Sequence, residues 1–441
     1  MTLSLFNTAS RKKTEFAALR PPKVGLYVCG PTVYHYAHIG NMRAYVTWDI
    51  LRRLLERNQY KVSHVMNITD VGHLQADADD TEDKMEKAAK EEHKTPQQIA
   101  RFYTETFMAD MHALHNKDPT TICKATTHIE DMITLIQKLE KKGYTYTTEN
   151  GVYFSVQKFA KYGKFSQMSI DQLKGARDEV VRDPNKKHPA DFRLWQLNQP
   201  HHIQQWDSPW GKGYPGWHIE CSAMSMKYLG TTFDIHTGGI DHIFPHHQNE
   251  IAQSEGATGK PYANYWLHNA FMLVNGNKMS KSLRNIYTLN DLKKKGFDPL
   301  SYRYLLLTTH YRSEINFTWE SIEVAQKTRK NWNAFIKRLQ KYTGKKSNPE
   351  IKPLIQDAEE KINDQFNDDL NTSLALATLS DFSRKINEWL GNETMSKADA
   401  RKVLEFMEDM NNVLGVFEFY HEEAVIPANV LKLAHQRESA R

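Results

Sequence analysis

The chain has 441 residues, 40% hydrophobic and 25% charged, with a formal net charge of +5. It is too long for one ordinary core, so two to four domains are expected, and no apolar run approaches the roughly 18 to 20 residues of a membrane span. The N-terminal "MTLSLFNTASRKKTEF" turns charged too early for a signal peptide, and three cysteines, Cys29, Cys123 and Cys221, cannot build an even disulfide framework; a reducing, cytoplasmic setting is the expectation.

In chain order, "KVGLYVC" (Lys23 to Cys29) reads as a buried strand, "NMRAYVTWDILRRLLERN" as a helix and "KVSHVMNITD" as a second strand. This is the β-α-β pattern of a parallel sheet. The glycine-bearing loop "GPTVYHYAHIG" joins the first strand to the helix, at the strand's carboxyl end where such folds bind ligands. Residues Asp77 to Lys94 read as a charge-dense helix with Asp83–Lys87 and Glu86–Lys90 pairs on a solvated face. From about Thr121 to Pro200 helix alternates with short strand signals, as in "GVYFSVQKF", and the stretch reads as an insertion, after which "TTFDIHTGG" and "NYWLHNAFMLV" resume the sheet.

From Thr318 the pattern is helical. Trp332, Phe335, Ile336 and Leu339 give one apolar face, with Lys327, Lys330, Lys337, Arg338 and Lys341 on roughly the opposite one. No acid interrupts Lys327 to Lys346, which suits a polyanion as well as a solvated surface.

Three stretches carry candidate chemistry. "GGIDHIFPHHQNEIAQ" spaces His242, His246 and Glu250 by four, so that on a helix they share a face and two side chains can converge on one ion. "NGNKMSKSLRN" is a small-residue loop whose Lys278 and Lys281 bracket a serine and can meet a triphosphate. "HIGN" (His38 to Asn41) opens the first crossover helix, where an imidazole and a helix N-terminus make a second phosphate site.

Taken as an ordered set, "VCGPTVYHYAHIGN", "NITDVGH", "WHIECSAM", "FDIHTGG", "FPHHQNE" and "KMSKS" resemble the cysteinyl-tRNA synthetase family of class I aminoacyl-tRNA synthetases, from Phe6 to about Arg441. The resemblance implies an α/β fold: a Rossmann-like parallel-sheet catalytic domain split by an insertion, followed by a helical C-terminal tRNA-binding domain. The expected limits are 1–120 and 201–274 for the two catalytic halves, 121–200 for the insertion, 275–317 for the KMSKS loop and stem-contact region, and 318–441 for the anticodon-side bundle.

The resemblance also implies one Zn2+ held by Cys29, Cys221, His246 and Glu250, with His242 and His247 outside the ligand set. Thr69, Trp217 and His236 would line a cysteine pocket. His38, Asn41, Gly239, Asp241 and Lys281 would bind ATP, and His38, Lys278 and Lys281 would act on the departing pyrophosphate, with Mg2+ accompanying the nucleotide. The implied reaction forms cysteinyl-adenylate from L-cysteine and ATP and passes the acyl group to the cysteine tRNA, in a monomer without membrane contact.

A soft thiolate on zinc would set cysteine apart from serine. Asn41 replaces the second histidine of the usual "HIGH"; an amide donates a hydrogen bond but carries no charge. Members of the family usually continue past the segment matching "LKLAHQRESAR" into a basic helix and a β-rich unit that meets the anticodon, whereas this sequence stops at Arg441, which leaves anticodon reading open. The rival readings are a paralogous ligase that hands cysteine to a small amino sugar, and a catalytically silent relative that binds RNA or zinc.

Overall fold

The computed structural model describes residues 2–72, 84–169, 184–199, 202–280 and 282–419. Five parallel strands form the central sheet: β1 (Lys23–Val28), β2 (Lys61–Ile68), β3 (Thr121–Lys124), β4 (Phe233–Gly239) and β5 (Ala263–Asn269), in the order β5-β4-β1-β2-β3. The chain steps outward from β1 to β3, then returns to the other side of β1. The reversal between β1 and β4 leaves a crevice at their carboxyl ends, where this class of sheet binds ligands.

Alternation along β1 divides the molecule. Val24, Leu26 and Val28 face a core shared with helix α1 (Ile39–Arg57) and the C-terminal helices, while Tyr27 and Cys29 face a second core shared with helix α2 (Trp217–Leu229) and the insertion. Cys29 therefore lies on the side from which Cys221 approaches.

The insertion is bounded differently from the expected 121–200. Thr121–Lys124 pairs in parallel with β2, Val65 opposite Thr121, and so belongs to the central sheet. The insertion's own antiparallel sheet comprises Thr145–Thr147, Gly151–Phe154, Phe192–Leu197 and Gly213–Pro215, and its last strand lies beyond residue 200. Strands of three or four residues take their identity from the partner that accepts their hydrogen bonds, which local patterning does not display.

The charge-dense segment also differs from expectation. The helix within it is Lys84–Glu91, Asp83 is outside the described residues, and Glu86 is buried, accepting the Ile203 N–H at 2.6 Å. An acid that satisfies a buried backbone donor is part of the packing, not of a solvated face.

Helix α3 (Gln248–Thr258) connects β4 to β5, and the C-terminal region is built from α4 (Trp319–Gln340), α5 (Ile351–Asn367), α6 (Thr372–Gly391) and α7 (Lys397–Leu414). The Thr318 side chain caps α4 by accepting from Ser321 N, and Ser396 caps α7 by accepting from Asp399 N. Trp332, Phe335, Ile336 and Leu339 are buried as expected, and Lys327, Lys330, Lys337, Arg338 and Lys341 are exposed. "LKLAHQRESAR" lies outside the described residues.

Arg303 joins this region to helix α1, which packs on the central sheet. Its fully buried guanidinium donates from Nε to Leu414 O at the end of α7 (2.7 Å), from Nη1 to Leu114 O (2.9 Å) and Asn116 Oδ1 (2.8 Å), and from Nη2 to Asp49 Oδ2 of α1 (2.7 Å). Burial pushes the Asp49 carboxyl up, but Arg303 and Arg53 outweigh it and hold the group below its ordinary value.

Candidate active site and metal centre

Four elements deliver one buried ligand set. Cys29 follows the last residue of β1, Cys221 lies in the second turn of α2, Glu250 lies in the first turn of α3, and His246 comes from the irregular turn just before α3. Their donor atoms lie within 4.8 Å of one another, and His246 Nε2 is 3.1 Å from Glu250 Oε1. The edges of a zinc tetrahedron with bonds of about 2.0–2.3 Å are about 3.3–3.8 Å, so a set within 4.8 Å would close by at most about 1.5 Å per pair to hold that ion. Apart from this approach of His246, Glu250 Oε1 is buried with no hydrogen-bond partner, which suits a carboxylate oxygen reserved for a cation.

The remaining atoms of the set are held from outside. His246 Nδ1 bonds His218 Nδ1 at 2.9 Å, which leaves Nε2 turned to the cluster; Glu250 Oε2 accepts from His236 Nε2 (2.8 Å) and from the Tyr262 hydroxyl (3.0 Å). Such outer partners fix the tautomer and direction of ligands. Burial pushes the Glu250 carboxyl up, but His236 and His246 overcome it and hold the group well below the usual carboxylate range. Burial lowers His246, yet Glu250 and Cys221 carry it up to about 10, and a hydrogen bond from Cys29 lowers the Cys221 thiol. The cluster thus concentrates negative charge that a proton on His246 balances and that a dication would balance better.

A second set, Cys29, His236, His247 and Glu250, is equally close. The first fits a metal that must reach a substrate, because Cys29, Cys221 and His246 line the adjoining cavity whereas His236 and His247 are fully buried behind it. His247 lies 3.4 Å from Cys29 Sγ through Nε2 and bonds His268 Nε2 through Nδ1 (2.8 Å), which makes it a support for the cysteine.

The expected helical face of His242, His246 and Glu250 does not form as one stripe. Helix α3 starts at Gln248, and Phe244 ahead of Pro245 is extended, at φ −138° and ψ 132°. Proline excludes the helical conformation from the residue before it, so the ladder breaks between His242 and His246. Only the His246–Glu250 pair keeps the four-residue stacking.

The cavity has a volume of 720 Å³ and takes in both groups of motif residues. Thr69 and Trp217 line it near the cysteines: the Thr69 hydroxyl donates to Glu220 Oε2 at 3.0 Å, and the Trp217 ring lies 4.4 Å from that of His246. His236, expected at the cysteine pocket, is not on the wall; it touches Glu250 instead. His38, Asn41, Gly239, Asp241, Lys278 and Met279 line the other part.

There, His38 and Asn41 form a reciprocal cap on α1. His38 Nδ1 accepts from Asn41 N, and Asn41 Oδ1 accepts from His38 N, both at 3.1 Å. Since the cap requires a bare Nδ1, the single proton of the neutral ring sits on Nε2. Burial lowers the His38 pKa and Asp241 opposes that only partly, so the neutral form prevails.

The stretches "HIGN" and "KMSKS" touch. A Cβ on Gly40 would lie 2.2 Å from Met279 Cε, the mobile end of a side chain, so the lysine-bearing loop packs directly on the start of α1 through Met279. Asn285 braces that loop from inside, accepting from Ser280 N (2.8 Å) and donating to Lys278 O (3.0 Å). Lys278 is exposed; Lys281 lies outside the described residues. Sequence reading passes over His218, Glu220, Tyr262 and His268, whose partners are 12 to 260 positions away and carry no local spacing signal.

A parallel sheet reversing at β1/β4, with histidine at a helix start facing a lysine loop, defines a class I tRNA synthetase catalytic domain. In agreement, a family model for the catalytic domain of class I (C) tRNA synthetases matches residues 15–327, and a DALR domain model matches residues 361–418. Cysteine--tRNA ligase of Treponema denticola is 44% identical, over 100% of this chain and 93% of its own length; Cysteine--tRNA ligase 1 of Burkholderia lata is 44% identical, over 100% and 90%. The chain belongs to the cysteine--tRNA ligase family. Among solved structures, Mycobacterium tuberculosis methionyl-tRNA synthetase in complex with methionyl-adenylate shares the fold, with a TM-score of 0.62 at 15% identity over 89% of each chain. The Agrobacterium radiobacter LeuRS-tRNA-LeuAMS complex does so at 0.60 and 12%, covering 91% of this chain and 86% of that one.

Proposed function

We propose that this chain ligates L-cysteine to the cysteine tRNA through cysteinyl-adenylate, using ATP with Mg2+, and that Cys29, Cys221, His246 and Glu250 hold a zinc ion that selects the substrate thiol. The observation that carries this reading is that a buried set of two cysteines, a histidine and a glutamate opens into the same cavity as His38 and Lys278. Zinc bound there would supply a Lewis acid that lowers a thiol's pKa and disfavours a hydroxyl. Selection by sulfur matters because apolar pockets separate small groups by only about 10- to 200-fold.

The rest is placement and charge. Thr69 and Trp217 would flank the amino acid, and the Asp241 carboxylate beside Gly239 would accept from the ATP ribose hydroxyls. His38 would donate its Nε2–H to a phosphate oxygen, reinforced by the positive end of α1. As the cysteine carboxylate attacks the α-phosphorus, Lys278 and Lys281 would stabilise the negative charge gathering on pyrophosphate. A ribose hydroxyl of the tRNA terminus then attacks the acyl carbon and AMP leaves. No protein nucleophile takes part.

The exposed basic face of α4 would meet the tRNA backbone. Among the described residues no helix is long and apolar enough to cross a membrane, which accords with a cytoplasmic role. The test is direct charging with labelled cysteine, ATP and a cysteine tRNA transcript, alongside cysteine-dependent pyrophosphate exchange. Both should occur; exchange without charging would point to a different acceptor, and neither would remove the reading.

A further inference from the structure

The mouth of the cavity carries aromatic rings that the metal set and the phosphate residues do not use. His35 and Tyr36 come from the loop just ahead of His38, and Phe102 and Tyr103 from the second turn of helix Pro96–Ala113. Buried Tyr103 is the base of the group. Tyr36 meets it at 5.1 Å and 90°, Phe102 at 5.1 Å and 79°, and the His35 ring lies parallel to it at 6.0 Å and 14°.

Above this base, Tyr36 is 39% and Phe102 37% exposed, with centroids 6.2 Å apart. Tyr36 lines the cavity and Phe102 stands just outside it. The Lys94 ammonium lies 4.4 Å from the Phe102 centroid. Glu92 is engaged by Lys94 at 2.9 Å and by the Tyr103 hydroxyl, so among these described residues the rings stand beside a cation and a paired acid.

Contiguous exposed apolar surface can serve as a contact site, and here two rings and a cation stand side by side at the cavity mouth. If the adenylate forms in the cavity, the terminal ribose of the tRNA must enter it, and the unpaired nucleotides leading to that ribose must cross the rim. Unpaired bases are bound by stacking on aromatic side chains beside a cation, with little dependence on base identity.

The Tyr36 and Phe102 planes stand at 76°, so a base that lies flat on one ring meets the edge of the other. We propose that Phe102 stacks on an unpaired base of the tRNA 3′ end, next to the nucleotide that enters the cavity, with Tyr36 packed at the edge of that base. This rests on the function proposed above. The ATP base is the competing occupant, but Phe102 lies outside the cavity that the nucleotide motifs share.

Phe102→Leu keeps apolar bulk in a helix and removes the π face, whereas Phe102→Tyr keeps it. In the full chain, Phe102→Leu should lower kcat/KM for tRNA by about 5- to 100-fold, the range for one stacked base, with cysteine-dependent pyrophosphate exchange within twofold of the parent. Phe102→Tyr should charge within twofold of the parent. Unchanged charging by Phe102→Leu, in a parent that charges normally, would overturn the stacking alone, and a parallel loss of exchange would assign the ring to ATP or to folding and also overturn it. A parent that exchanges pyrophosphate but charges no tRNA would overturn the functional reading and the stacking with it.

Discussion

The two parts of the cavity are built on opposite plans. Around Cys29, Cys221, His246 and Glu250 every ligand residue is buried, and His218, His236, Tyr262 and His247 hold the set from behind. Around His38 and Lys278 the residues are exposed or half-exposed, and the lysine loop is braced chiefly by Asn285 and by Met279 against Gly40. On the proposed function, the first site has to reject serine and gains from donors fixed before the substrate arrives, since selectivity comes from a geometry that does not adapt. The second has to admit a triphosphate and release pyrophosphate, and gains from charges that can move.

Substitutions at the two parts should therefore fail differently. Cys221→Ser should bring zinc in the purified protein down to background by elemental analysis and reduce kcat/KM for cysteine at least about 10³-fold in pyrophosphate exchange, with preference over serine lost; equal zinc in variant and parent would remove the metal reading. Lys278→Ala should keep its zinc while exchange falls about 10²- to 10³-fold, the effect of deleting one donor to developing charge. His236→Ala should weaken zinc binding about 10- to 100-fold, measured by competition with a chelating dye, while ATP binding is unaffected; an unaltered zinc affinity would mean that Tyr262 alone holds Glu250.

The smallest effects belong to Asn41. Asn41→His should leave cysteine activation within about tenfold, equivalent to 1.4 kcal/mol. Asn41→Ala, which removes the acceptor for His38 N, should cost about 1 kcal/mol of stability, visible in a denaturant melt. A larger loss of activity than of stability would show that the Asn41 amide meets the nucleotide directly.

Much of this contrast is legible before folding. The β-α-β start, the strand "TTFDIHTGG" and the apolar face of α4 are legible in the pattern, and "NYWLHNAFMLV" is so only in part, because Met272–Val274 leaves the central sheet to pair with Ile315–Phe317; the lysine loop alone reads as an ordinary basic surface and gains its meaning from "HIGN" and the resemblance. The proposed zinc set is available only through resemblance, since Cys29 and Cys221 are 192 positions apart and nothing local pairs them. Spacing alone suggests His242, and Pro245 holds the clue against it. The role of His236 behind Glu250, the pairing of Thr121–Lys124 with β2 and the burial of Glu86 depend on partners distant in sequence. They appear only once the chain is folded.

Arg303 bears on how such a chain could be taken apart. The matched segments 15–327 and 361–418 invite a cut between them. Yet the Arg303 guanidinium donates to Leu414 O on one side of that cut while it binds Asp49 of the helix that begins at the nucleotide motif on the other. A fragment ending before α5 would expose this cation's pocket and strand one of its donors, a loss to be added to the apolar surface that the helices cover. The catalytic half is thus a poor candidate for a free-standing module, and transplanting the helical half onto another synthetase would require a matching arginine socket at the join.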